Sequence, residues 1–363
     1  MKLLVLFILF CLSITCCNNK KSTNSKIQKN NFVEFSQNFT INKKDNLTFI
    51  SIINPETKSV DKILSINSHD PNFIWINNKK FSTNSIISFS STFIGLLDKL
   101  NEIKRVKGID DIRFVYNSFL KKQLLSKKTI ELGSTESASI EKIISLNTET
   151  ILFSGFGNTF PNEEKLKKLN ILCIPIYDWR ETHPLGKAEW IKVFGLMTNR
   201  ENEANLYFNN LKKRYFKLKN KFKKLPLSKP ILSGSIIGDF WYLPAGESYL
   251  SNIFKDARID YVEKHTKGTG SISKSFEYCL KNYINAYFWL NPGYNTKAEL
   301  LSQNSNYKYF NALNSNTYCY SHSPNLFWEK SGVEPDKLLL DLIQICHPEL
   351  HMKRNLFFYK KLK

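Results

Sequence analysis

Seven cysteines, six histidines and 32 acidic residues are the groups in this 363-residue chain that could do chemistry, and their spacing decides which chemistry is open to them. Cys173, Cys279, Cys319 and Cys346 lie in mixed apolar segments with no CxxC pair, so no zinc or other metal site is supported. They read equally as buried thiols or as disulfide partners. His183 and His347 each precede a proline and read as turn residues, and His265 and His322 lie in polar stretches. No GxSxG elbow, HExxH pair, Walker loop or GxGxxG motif is present. Gly155-Phe156-Gly157 lacks the third glycine and the helix placement that phosphate binding uses. The acid pairs Glu163/Glu164 and Glu201/Glu203 fall in first helical turns, where the helix dipole accounts for them. Hydrolytic, zinc and nucleotide chemistry are thereby excluded. Cys16 and Cys17 stand apart from these groups, near the N-terminus.

Those two cysteines close an N-terminal address. Lys2 precedes an unbroken apolar run over residues 3–12, which is too short at 1.5 Å per residue to cross a hydrocarbon core of roughly 30 Å. Residues 1–17 therefore read as an export signal. Its end, Leu12-Ser13-Ile14-Thr15-Cys16-Cys17, resembles the lipobox of a bacterial lipoprotein, with Cys17 slightly favoured over Cys16 for acylation. Residues 18–31 (NNKKSTNSKIQKNN) carry too little apolar surface to fold and read as a tether. An extracytoplasmic, lipid-anchored protein is expected.

The roughly 330 residues beyond the tether are enough for two lobes with separate cores. Hydrophobic residues make up 42% and aromatics 13%, which fits a globular body. The net charge of +20 is spread along the chain without any zinc-finger, RRM or basic-zipper pattern, so nucleic acid is not expected as a partner. A basic surface suits anionic lipids or an anionic ligand.

Short strand-like runs at 32–39, 47–53 and 73–77 open the body. Strands at 86–90, 105–109, 150–154 and 171–176 then alternate with helical patterns at 92–100, 139–146 and 163–169, which predicts crossover units and a mainly parallel sheet. The second half repeats the idea with strands at 231–237 and 286–290 and helices at 248–256, 275–284 and 335–346. Between the halves, Ala204, Tyr207, Phe208, Leu211, Tyr215, Leu218 and Phe222 recur at steps of three and four, one stripe of a long helix over 199–225. Thr198 or Asn199 is its expected N-cap.

These blocks carry a resemblance. Residues 86–100 (IISFSSTFIGLLDKL), 105–110 (RVKGID), 139–155 (SIEKIISLNTETILFSG) and 244–261 (PAGESYLSNIFKDARIDY) resemble the cobalamin and iron-siderophore substrate-binding proteins of ABC importers, the helical-backbone class. Residues 180–197 (RETHPLGKAEWIKVFGLM) and 334–350 (EPDKLLLDLIQICHPEL) resemble segments common in the Bacteroidetes branch. One departure is Asn147-Thr148-Glu149-Thr150, where the family usually reads Lys-Pro-Asp.

The resemblance implies an α/β fold of two Rossmann-like lobes, 32–198 and 226–363, joined by one rigid helix at 199–225. The ligand cleft would lie between the lobes, at the carboxyl ends of the strands. It implies cleft residues Ser90, Ser91 and Thr92 after the first strand, Phe156 and Asn158 after the strand at 150–154, and Tyr177, Trp179 and Arg180 after that at 171–176. From the second lobe come Trp241, Tyr242, Asn291, Pro292, Tyr294 and Trp328. Ring faces would cover the organic shell of an iron-siderophore-type chelate and Arg180 would take its carboxylate. A corrinoid or haem is the alternative ligand, with Tyr177, Tyr242 or His322 as possible axial groups for haem. A non-transport scaffold or sensor is the alternative role. Glu163 or Glu164 and Glu299 are the implied acids that dock a monomeric binding protein on its permease dimer, which works with an ATPase.

Overall fold

Alternating apolar residues build the first sheet from five short strands, β1 (Phe39–Lys44), β2 (Leu47–Ile53), β3 (Val60–Asn67), β4 (Phe73–Ile76) and β5 (Lys79–Ser82). Each pairs antiparallel with its chain neighbour, in the order β1-β2-β3-β4-β5. Phe39, Ile41, Ile50, Ile52, Leu64, Ile66, Ile74 and Phe81 point to one face and are buried, as a period of two requires. The computed structural model describes residues 32–363 apart from 158, 315 and 321–323. The export signal, the tether, Cys16, Cys17, Asn158 and His322 lie outside the described residues. Asn31–Lys363 forms one compact unit.

The strand expected over 32–39 is absent until Phe39. The backbone of the preceding residues is held by side chains instead of a ladder. The N–H groups of Glu34, Phe35 and Ser36 donate to the Glu189 carboxylate at 2.8, 2.7 and 2.9 Å, and those of Gln37 and Asn38 to Glu181 at 2.9 and 3.3 Å.

A parallel sheet follows, made of β6 (Ile86–Phe89), β7 (Val106–Ile109), β8 (Ile130–Glu131), β9 (Thr150–Ser154) and β10 (Leu172–Ile176). Its crossovers carry α1 (Ser91–Lys99), α2 (Ser118–Leu125), α3 (Ile140–Ser145) and α4 (Glu163–Lys168). All four residues of β6 are buried, as expected of a strand covered on both faces. The order β10-β9-β6-β7-β8 means that the chain runs outward from β6 to β8 and then returns to the other side of β6. The loops after β6 and β9 therefore diverge, and the crevice of an open α/β sheet forms at such a reversal. The departure at Asn147-Thr148-Glu149-Thr150 has a local role. Glu149 accepts the Ser82 N–H at 2.6 Å and the Thr150 hydroxyl donates to the Ser82 carbonyl at 2.8 Å, joining the two sheets.

Helices α5 (Pro184–Glu189) and α6 (Ile191–Met197) lead into α7 (Glu201–Phe222). Ala204, Phe208, Leu211, Tyr215 and Phe222 of the stripe are buried along α7. The expected N-caps are corrected. Thr198 bonds back to the Phe194 carbonyl at 2.8 Å, Asn199 adopts a left-handed φ of 57°, and the helix starts only after Arg200.

The second half contains β11 (Ile231–Ser233), β12 (Ile236–Ile237), β13 (Phe240–Pro244), α8 (Tyr249–Asp256), β14 (Ser271–Lys274), α9 (Phe276–Tyr283), β15 (Phe288–Leu290), α10 (Lys297–Gln303), β16 (Thr317–Tyr320), α11 (Pro324–Lys330), α12 (Pro335–Cys346) and β17 (Tyr359–Lys361). The strand expected over 231–237 is broken at Gly234, whose φ is +72° and whose position has no room for a Cβ, 2.4 Å from the Tyr242 carbonyl oxygen. β11 stays in a sheet ordered β11-β15-β16-β17, while β12 leaves for the antiparallel β12-β13-β14. One apolar core runs from the antiparallel sheet through α6, α7 and α12, so the halves share a core. A separate cluster forms around Trp241, Trp289, Tyr307 and Phe310. From α7, the Tyr215 hydroxyl donates to Asp256 at 2.8 Å and the Tyr207 hydroxyl to the Val333 carbonyl at 2.8 Å.

Candidate functional site

At the carboxyl ends of β9 and β10 the chain places aromatic rings beside a cation. Trp179 and Arg180 lie in a 3-10 turn, Asp178–Arg180, fixed to α5 by a buried ion pair of 3.2 Å between Asp178 and Lys187. The Trp179 indole N–H donates to the Gly155 carbonyl at 3.0 Å. The exposed Phe156 ring lies 4.8 Å from that of Trp179, and the Arg180 guanidinium sits 5.0 Å over the same indole. Arg180 pairs with Glu56 at 3.3 Å, and its buried Nε has no hydrogen-bond partner among the described residues. Such an orphaned donor is uncommon. Gly157, at φ +85°, leaves space for the Glu56 carboxylate, which a Cβ would approach to 2.9 Å. Across from these residues a Cβ on Gly270, at the head of β14, would lie 3.0 Å from the Trp179 ring. A segment from each half of the chain thus meets at Trp179. The arrangement offers a ring face and a guanidinium to an anionic, flat or rounded ligand.

The other expected residues are placed less favourably. Tyr177 is buried, its hydroxyl donates to Asp61, and its ring would meet a Gly155 Cβ at 2.2 Å. Burial and the Asp61 carboxylate push its phenol well up, and the buried ring forms a floor beneath Gly155. Trp241 is likewise corrected. Strand alternation turns it inward, where its indole N–H donates to the Ser233 carbonyl at 2.8 Å and its ring lies 5.6 Å from that of Trp289. Tyr242, on the opposite face of β13, is exposed. Ser90 and Thr92 join hydroxyls at 2.9 Å at the start of α1, with Ser91 half-buried beside them. Tyr294 packs on the Trp241 cluster, and Pro292 is buried. Asn291, at φ 58°, keeps a buried side-chain oxygen without a partner among the described residues. Trp328 is exposed and meets Phe327 edge-on at 5.2 Å.

Of the acids, Glu163 is 17% exposed and pairs with Lys62 of β3 at 2.6 Å, so it is not the free surface acid that docking needs. Glu164 is 82% exposed. Glu299 is exposed and forms the capping box of α10 with Thr296. His183 caps α5 by accepting the Leu185 N–H at 3.0 Å, and His347 is buried. The four body cysteines are buried free thiols.

Sequence reasoning missed Glu56, Gly270, Glu181, Glu189 and the Asp178–Lys187 pair. Glu181, Glu189 and Lys187 lie within the quoted 180–197 block and Asp178 flanks it, which was the available signal. Two depressions lie away from the Trp179 cluster: about 390 Å³ beside Phe32, Lys192 and Asn205, and about 510 Å³ beside Ile112, Leu125 and Ile130.

The profile of the periplasmic binding proteins matches residues 86–322, and the chain belongs to that family. The match begins after the antiparallel sheet. Two uncharacterized lipoproteins of Methanocaldococcus jannaschii are similar: one is 28% identical over 76% of this chain and 68% of its own length, the other 24% over 65% and 62%. Among solved structures, a periplasmic heme binding protein from Pseudomonas aeruginosa shares the fold with a TM-score of 0.59, at 13% identity over 77% of this chain and 98% of that one. A periplasmic vitamin B12 binding protein of Vibrio cholerae gives 0.54, at 11% identity over 74% and 98%. An Fe3+-hydroxamate transport protein from Saccharomonospora viridis gives 0.54, at 13% identity over 75% and 98%.

Proposed function

We propose that this chain is the extracytoplasmic substrate-binding component of an ABC importer, capturing an iron-siderophore-type chelate in a cleft between two α/β lobes. In this reading residues 32–198 and 226–363 are the lobes and the segment 199–225, containing α7, is the strut that limits their closure. The observation that carries the reading is the Phe156–Trp179–Arg180 cluster at the strand ends, beside the reversal of strand order and against Gly270 of the second half. Tyr242, Tyr294, Trp328, Ser91 and Thr92 are proposed to complete the wall, whereas Tyr177 and Trp241 support it from behind.

Acylation at Cys17, or at Cys16, would hold the protein at the membrane, in keeping with relatives named lipoproteins. Among the described residues no helix is long and apolar enough to cross a membrane. The permease dimer, with its ATPase, is the proposed partner. A corrinoid or haem is the alternative cargo, supported by the names of the structural neighbours. The reading is tested by titrating the protein with ferric hydroxamate and catecholate chelates, a corrinoid and haem while tryptophan fluorescence is followed. Saturable quenching by one class supports it; no quenching by any of them favours the scaffold role.

A further inference from the structure

The segment from Ile112 to Ile130 contains no acidic residue but holds Arg113, Lys121, Lys122, Lys127 and Lys128. It also exposes apolar side chains that nothing in the ligand cleft explains. Leu125, the last residue of α2, is 80% exposed, and Phe119 is 43% exposed. Helical geometry puts Ser118, Lys122 and Leu125 on the outward side of α2, opposite the buried Leu120, with Lys121 and Phe119 flanking them. Lys121, Lys122, Lys127 and Lys128 are all exposed. Beside Leu125 lies the depression of about 510 Å³, lined by Ile112, Leu124, Ile130 and Lys142. Glu131 is the acid on its rim, and its carbonyl accepts from Lys142 at 3.2 Å.

β8 is the edge of the parallel sheet, and lysines at a sheet edge ordinarily block strand pairing. That role needs no exposed leucine or phenylalanine. Apolar side chains ringed by lysines on a short helix match the boundary between lipid headgroups and acyl chains, where the rings and aliphatic groups insert and the ammonium groups meet phosphate. We propose that this face of α2 rests on an anionic lipid surface. The inference relies on the lipid-anchored reading for proximity, since an anchored body samples the bilayer continuously.

The test uses the acyl-free body, Asn31–Lys363, which contains the compact unit and its cores. Its sedimentation with vesicles of phosphatidylcholine and phosphatidylglycerol in equal parts is compared with phosphatidylcholine alone. Binding to the anionic vesicles is expected to be at least about tenfold tighter and to fall with salt, each lysine supplying roughly a factor of five. Lys121→Glu with Lys122→Glu is expected to weaken it at least about 25-fold, and Leu125→Glu separately about tenfold, while circular dichroism and the melting temperature stay unchanged. Lys213→Glu, exposed on α7, should have no effect. Equal binding to both vesicle types, no binding, or an equal loss in Lys213→Glu would overturn the proposal. So would an uptake defect of the lysine variants without vesicle binding, which would assign the face to a protein partner. Chelate quenching is read separately, so a failure here is distinguishable from a failure of ligand capture.

Discussion

The Glu189 carboxylate accepts the backbone N–H of Phe35 at 2.7 Å, joining residues 154 positions apart. The same carboxylate takes the N–H groups of Glu34 and Ser36 and pairs with Lys192 at 2.7 Å, and Lys192 reaches the Phe32 carbonyl at 2.9 Å. Every oxygen of a fully buried acid is thereby occupied. Removing it leaves Lys192 as a buried cation without its counter-charge, and breaking a buried pair costs about 3–5 kcal/mol. Glu189→Ala is expected to lose that much in urea unfolding, and Glu189→Gln distinctly less. A loss under about 1 kcal/mol for the alanine variant would show that the segment is not held this way.

Glu181 sets a pH dependence. Burial pushes its carboxyl up to about 7, despite donors from Ser36, Gln37, Trp190 and Asn38. A carboxyl raised on folding contributes stability that is fully present below about 4.5 and is lost as pH rises through about 7. Glu329, also raised to about 7 by burial, acts in the same direction. His183, lowered by burial, opposes both on the acid side, so the comparison must be with a variant. Glu181→Gln mimics the protonated form. Its unfolding free energy should decline less steeply than wild type between pH 5 and 7, by up to about 1.4 kcal/mol per pH unit. Parallel profiles would place the titration elsewhere.

Docking on the permease is expected to rest on Glu164 and Glu299, both exposed, and no longer on Glu163. Glu164→Lys with Glu299→Lys should abolish uptake into cells and leave the ligand affinity of the purified protein unchanged. Glu163→Lys sets two cations together at Lys62 and should register as lost thermal stability. Normal uptake by the double variant removes both acids from the docking surface.

Arg180→Ala should weaken an anionic chelate by about 1.5–3 kcal/mol, the range for hydrogen bonds to charged groups. Isothermal titration reads this directly. An anionic chelate bound equally well by both proteins would remove Arg180 from recognition.

The α7 stripe and the parallel strands were legible because period and burial are local properties. Phe208, Leu211 and Tyr215 each announce themselves through neighbours three and four residues away. The site was legible where it followed from strand ends, as at Trp179 and Arg180. It failed at Trp241, expected in a loop beyond a strand over 231–237; that strand breaks at Gly234, and Trp241 lies instead within β13 of another sheet, where alternation turns it into the core. Glu181 and Glu189 were hidden for a different reason. Their partners lie roughly 150 positions away, and no local pattern marks an acid that will accept backbone N–H groups. The stretch over 32–39 alternates like a strand, yet those same carboxylates take its hydrogen bonds.

Native mass spectrometry of the protein purified from its own membrane, before and after mild acid and chelator treatment, tests the central claim most directly. A single dissociable mass matching a metal chelate, lost on treatment and restored stoichiometrically on adding it back, is the expected result, and Trp179→Ala should retain less of it. Protein that is free of ligand in both states and takes up no chelate from the ferric, corrinoid and haem panel would contradict the account.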